Sequence, residues 1–156
     1  MLNRIKDFFN THLTANNSSV EQSEHRLHIA TAALLLEVAR ADFEISVQEK
    51  TKINTQMEQI LGLTPALVNE LIELAESEVE QAVSLHQFTS LIHANYSLEE
   101  KVRILYLLWH VAYSENDLDK YEESLIRKIS DLLYISHQDF ITTKLRAEKE
   151  AALHNQ

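Results

Sequence analysis

Two short acidic stretches are where this sequence could do chemistry. The first carries Asp42, Glu44 and Ser46 at alternate positions, with Glu49 three residues further on. The second carries Glu115, Asp117 and Asp119, with Glu122 three residues further on. Oxygen ligands at alternate positions of a tight loop suit a hard divalent cation such as calcium. An EF-hand also needs a bidentate glutamate at its twelfth position. Counted from Asp42 and from Glu115, that position is Ile53 and Ile126, so neither stretch is an EF-hand. The expected metal set is Asp42, Glu44, Ser46, Glu49, Glu115, Asp117, Asp119 and Glu122. The second stretch is the better half, because the Ser46 hydroxyl is a poorer ligand than the Asp119 carboxylate. The same residues have a plainer use. Ser46 and Asp119 can accept a backbone N–H of the helix that follows, and Glu49 and Glu122 can close the capping box. Carboxylates near a helix N-terminus are also favoured by the macrodipole.

Other chemistries find little support. There is no cysteine, which removes disulfides, thiolate zinc sites and a cysteine nucleophile. No glycine-rich phosphate loop and no Gly-x-Ser-x-Gly elbow occurs. A di-iron carboxylate bundle needs glutamate three residues before histidine, twice. The residues in that position are Phe9, Gln22, His25, Val83, Ser90, Leu107, Tyr134 and Ala151, so that class fails. His25 and His28 lie one turn apart with Glu21 and Glu24 nearby; a zinc site needs a third and a fourth ligand, and the pair reads as surface decoration. His110, beside Trp109, reads as a half-buried, hydrogen-bonded side chain. No catalytic residue is expected, and the chain reads as a non-enzyme.

The elements that must position the acidic stretches are helical. Glycine and proline occur once each, as Gly62 and Pro65, whereas sheets and hairpins depend on such residues in their turns. Apolar residues at 2, 5, 8, 9 and 13 predict an N-terminal helix, and the polar run 14–19 predicts a linker after it. A long helix is expected over 21–41 and another over 46–61, closed by Gly62. Thr64 as N-cap and Pro65 as first helical residue open a helix to about Val83. Ser84 with Gln87, and Ser97 with Glu100, match the capping box and open helices to about Asn95 and Ser114. Asp119 opens a helix to about Leu133, and Ser136 caps a last one that frays after Lys149. The expected fold is all-α, a compact bundle of about seven or eight helices. Its expected organisation is an N-terminal helix and linker over 1–19, a helical domain over 20–150, and a disordered tail over 151–156.

Within the bundle the sequence repeats itself. Glu115 stands 73 residues after Asp42, and the likeness extends on both sides of that pair. Ala32, Leu35, Leu36 and Ala39 form an i, i+3, i+4, i+7 stripe. Leu105, Leu108, Trp109 and Ala112 form the same stripe at the same offset. Ile45 matches Leu118 as a plug from the bend into the core, and Ile53 matches Ile126. The repeat predicts two helix–bend–helix units packed with approximate internal symmetry.

These residues resemble the TerB-like (tellurite resistance protein B-like) family. Ala39-Arg40-Ala41-Asp42-Phe43-Glu44 is similar to that family's alanine-arginine-alanine-aspartate-glycine-glutamate loop. Leu108-Trp109-His110-Val111-Ala112-Tyr113, the run 118–123 and the run 125–133 are similar to its second copy. The likeness spans roughly residues 25 to 145. The family's loop glycine is replaced by Phe43 and by Asn116; asparagine tolerates a left-handed backbone and phenylalanine does so poorly. The resemblance implies a non-enzymatic bacterial accessory protein of stress or tellurite-resistance type, with acidic loops associated with divalent metal. It also implies an alternative, since similar domains are fused to DnaJ-type co-chaperones and suggest docking to a protein partner. Tellurite has no soft ligand beyond Met1 and Met57, which argues against direct tellurium chemistry.

Charge sets the remaining expectations. With 24 acidic and 14 basic residues the formal net charge is −10, which repels phosphate backbones and disfavours nucleic acid. No apolar run approaches the roughly 18 residues a membrane span needs. Peripheral membrane contact through residues 1–13 is the most the sequence allows, and no secretory signal opens it. A cytoplasmic protein is expected, with a protein partner and an oligomeric state that the sequence leaves open.

Overall fold

The computed structural model describes residues 4–14, 19–42, 45–81, 86–114, 118 and 120–154. Among the described residues run eight α-helices and no strand. They are α1 (Arg4–Phe8), prolonged by a π-helical turn (Phe9–Leu13), α2 (Val20–Arg40), α3 (Val47–Gln59) and α4 (Pro65–Gln81), followed by α5 (Gln87–Asn95), α6 (Leu98–Ala112), α7 (Lys120–Leu132) and α8 (His137–His154).

Most helix starts are local events. Ser97 accepts the Glu100 N–H and the Glu100 carboxylate accepts the Ser97 N–H, at 3.2 and 3.0 Å, closing the expected capping box on α6. Ser19 and Gln22 make the same reciprocal pair at the start of α2. Thr64 caps α4 through the Leu67 N–H at 3.2 Å, with Pro65 in the first helical position. Ser136 caps α8 through the Asp139 N–H at 3.1 Å. At the end of α3, Gly62 takes φ +68°, and the Leu63 N–H reaches back to the Met57 carbonyl at 3.3 Å. Gly62 supplies the left-handed residue that closes the helix there. Tyr134 adopts φ +57° after α7, and there the Ile135 N–H returns to the Ser130 carbonyl at 3.0 Å. A side chain at such a backbone costs about 1 kcal/mol.

The start of α5 differs from the sequence expectation. The helix begins at Gln87, with His86 in the cap position and no side-chain cap from it. Ser84, expected to be the cap, lies outside the described residues. The free N–H groups of this helix are taken by a side chain from α2, described below.

Two helices form the centre. In α2 every residue from Ile29 to Ala39 is buried, and in α6 the same holds from Ile104 to Trp109. They are the first helices of the two repeats and pack against each other. Helix α2 also packs on α4, α5 and α7, while α6 packs on α7 and α8. A helix buried on all sides sits in the core rather than on its surface. The repeat is visible in burial. Ala32, Leu35, Leu36 and Ala39 are buried, and so are Leu105, Leu108, Trp109 and Ala112. Ile53 and Ile126 are each 1% exposed, and Ile45 and Leu118 are half-buried against the core. The fold is therefore an all-α bundle with an internal helix–bend–helix repeat.

The N-terminal segment belongs to this core. Ile5, Phe8, Phe9 and Leu13 are buried in the same cluster, so the apolar face that could have met a membrane is covered by protein. The Leu13 carbonyl accepts a hydrogen bond from the Tyr96 hydroxyl at 2.7 Å. No helix among the described residues is long and apolar enough to cross a membrane.

Candidate functional site

The first acidic bend begins where α2 ends. The Asp42 N–H returns to the Ala39 carbonyl at 3.2 Å, and the Ile45 N–H closes on the Asp42 carbonyl at 3.4 Å. Ser46 then caps α3 by accepting the Glu49 N–H at 3.1 Å. The sequence expects Glu49 to complete a capping box. Its Oε2 is instead buried with no hydrogen-bond partner among the described residues. Glu44 lies outside the described residues.

The second bend begins where α6 ends, with the Ser114 N–H on the Val111 carbonyl at 3.1 Å. Glu122, in the first turn of α7, is 1% exposed. Glu115, Asp117 and Asp119 lie outside the described residues.

The two bends are tied to each other. The Tyr121 hydroxyl, at the start of α7, donates to Asp42 Oδ2 at 3.1 Å across 79 residues of sequence. In the other direction Gln56 on α3 donates to the Val111 carbonyl at 3.4 Å and to Ser114 Oγ at 3.5 Å. Each repeat thus reaches the bend of the other. Beside the first bend lies an open groove of about 270 Å³ lined by Arg40, Asp42, Lys50, Glu76, Val79 and Glu80. Arg40 is held there by Glu76 at 3.1 Å and Asn54 at 3.5 Å.

These residues meet only part of what a divalent cation demands. Calcium takes six to eight oxygens. Among the described residues, no three His, Asp or Glu side chains lie together as a metal site. Of the eight expected ligands, Asp42, Ser46, Glu49 and Glu122 are described. The orphaned Glu49 oxygen is the feature that fits a cation; the Ser46 hydroxyl already serves the helix. The histidines gather no ligand set among the described residues either. His28 sits 3.9 Å from Glu24, whose carboxylate is already held by Arg103 at 3.1 Å. His110 is exposed and stacks on Tyr106 at 6.3 Å, in contrast to the half-buried residue expected.

A second acidic feature escaped the sequence reading. Glu37 on α2 and Glu78 on α4 are buried, at 2% and 3% exposure. Glu37 Oε2 accepts the Phe88 N–H at 2.8 Å. Its Oε1 accepts the Thr89 N–H at 3.1 Å and the Thr89 hydroxyl at 2.7 Å. This is the cap of α5, supplied from 51 residues away. Glu78 Oε2 faces the Gln87 N–H at 3.5 Å. Burial, a hydrogen bond with Glu37 and the charge of Glu37 push the Glu78 carboxyl up to about 9. A clue was present in the sequence: Glu37 is the one charged residue between Ile29 and Ala39, a stretch otherwise of apolar residues and Thr31.

The fold defines a class: a small helical protein built from two helix–bend–helix units whose matching apolar positions are buried alike. The chain belongs to the family of tellurite resistance protein TerB, whose model matches residues 28–145 and so takes in both units. No curated protein and no solved structure matches it.

Proposed function

We propose that this TerB-family chain is a non-enzymatic accessory protein of stress or tellurite-resistance type that binds a divalent cation weakly at its paired acidic bends. The ligands are drawn from Asp42, Glu44, Ser46, Glu49, Glu115, Asp117, Asp119 and Glu122. The observation that carries this reading is the Tyr121–Asp42 hydrogen bond, which joins the start of one bend to the helix that leaves the other. Asp42 of one repeat then lies beside the first turn of α7, which carries Glu122 of the other. A bound cation would offset their mutual repulsion. Hard oxygen donors favour calcium or magnesium over softer ions.

The test is a titration of the full chain with calcium chloride, then magnesium chloride, followed by amide chemical shifts. The expected result is a saturable change confined to 42–49 and 115–122, reached at millimolar cation. Asp117→Asn weakens it more than Glu44→Gln, because the second bend carries the fuller ligand set. Absence of any response at millimolar cation sinks the proposal. A docking role is the second reading, and it draws on Leu145 and Leu153, which are 58% and 63% exposed on α8. Retention of a partner by the wild type but not by a Leu145→Glu, Leu153→Glu chain, with no cation response, would favour it.

A further inference from the structure

Glu37 and Glu78 reach adjacent N–H groups at the start of α5, Phe88 at 2.8 Å and Gln87 at 3.5 Å, so the two carboxyls meet there, and both are almost fully withdrawn from water. Two carboxylates cannot hydrogen-bond each other unless one carries a proton. Glu37 has both oxygens committed to the first turn of α5 and is the acceptor. Glu78 has a buried Oε1 that no donor among the described residues reaches, and that oxygen can carry the proton.

We propose that these two residues form a proton-operated clasp: one proton shared between them fastens the start of α5 to α2 and α4, and its loss loosens α5 together with the N-terminal segment packed on it. The link to that segment is direct. The Phe8 ring meets the Phe88 ring edge-on at 5.8 Å, and Phe88 donates its N–H to Glu37. With the proton lost, two negative charges face each other in a buried site with one helix N-terminus to share.

No cation among the described residues offsets that charge. Among the described residues, Glu37 is the only charged group that acts on Glu78. Arg40, one turn beyond Glu37 on α2, is turned to Glu76 and Asn54. At the start of α5 the neighbour is His86, whose buried Nδ1 has no partner among the described residues. On the N-terminal segment the neighbours of Phe8 are Asp7 and His12, the latter ring at 4.5 Å from the Phe8 ring. A metal ion is not the ligand of this pair, since no third His, Asp or Glu joins it among the described residues.

The experiment follows the glutamate side-chain carboxyl carbons of the full chain by NMR from about pH 5 to about pH 11, with the Phe8, Phe88 and Thr89 amides read in parallel. The expected result is one carboxyl that titrates near 9, absent in Glu78→Gln, with all three amides moving at the same midpoint. The side-chain amide introduced by that substitution can still donate to Glu37 but cannot ionise. If every glutamate carboxyl titrates below about pH 6, the shared proton does not exist. If one titrates near 9 while the Phe8 amide stays still, the clasp does not hold the N-terminal segment. The wild-type titration decides both points even where Glu78→Gln folds poorly.

Discussion

Matched truncation of the two repeats tests whether they are equivalent in energy as well as in pattern. Ile53 on α3 and Ile126 on α7 are each 1% exposed and occupy the same place in the two units. Isoleucine to alanine removes three carbons. At about 0.8 kcal/mol per buried carbon, the transfer loss is roughly 2.4 kcal/mol. The unfilled cavity raises the cost into the range of about 2–5 kcal/mol. Domains of this size are stable by about 5–15 kcal/mol, so either change is large yet survivable. Ile53→Ala and Ile126→Ala should each cost roughly 3 kcal/mol, and within about 1 kcal/mol of each other. Urea denaturation followed by Trp109 fluorescence measures both. Trp109 is fully buried in α6, with its ring 5.2 Å from that of Phe140. Val47→Ala is the control, because Val47 is 77% exposed on α3 and its loss should stay within about 0.5 kcal/mol. A cost below about 1 kcal/mol at one isoleucine with more than about 3 kcal/mol at the other would refute the equivalence.

Three further outcomes follow from the same contacts. Glu78 is held up to about 9 in the folded chain against an ordinary value of 4.5. Its contribution to stability is therefore complete below the ordinary value, declines as the unfolded chain alone loses the proton, and is gone once the pH passes through the folded value. Urea midpoints taken across that range should fall with rising pH, and the slope should be shallower in Glu78→Gln. Tyr121→Phe removes the hydroxyl that reaches Asp42 at 3.1 Å and should cost about 1 kcal/mol in urea denaturation. Gly62→Ala meets no atom within 4 Å of the added carbon, yet it forces φ +68° on a residue with a side chain. A loss of about 1 kcal/mol is expected from the backbone alone, read as a lower thermal midpoint with no change of fold.

Whatever depends on neighbours three or four residues apart could be read from the residue order. Ser97 with Glu100, Thr64 with Pro65, and Gly62 after α3 announce helix ends because a cap and its N–H or carbonyl are close in the chain. The apolar stripes of α2 and α6 declare a buried face for the same reason, and their recurrence revealed the repeat. The eight candidate ligands were also visible, as carboxylates and a hydroxyl at regular spacing. What sequence alone left open is which distant groups meet. Glu37 caps α5 across 51 residues, and no local rule pairs a mid-helix glutamate with another helix's N-terminus. The partnership with Glu78, the Tyr121–Asp42 bond and the seating of the N-terminal segment on Phe88 and Tyr96 are likewise products of packing. A buried polar group must be satisfied by whatever the fold brings alongside it, and that neighbour is set by how helices cross.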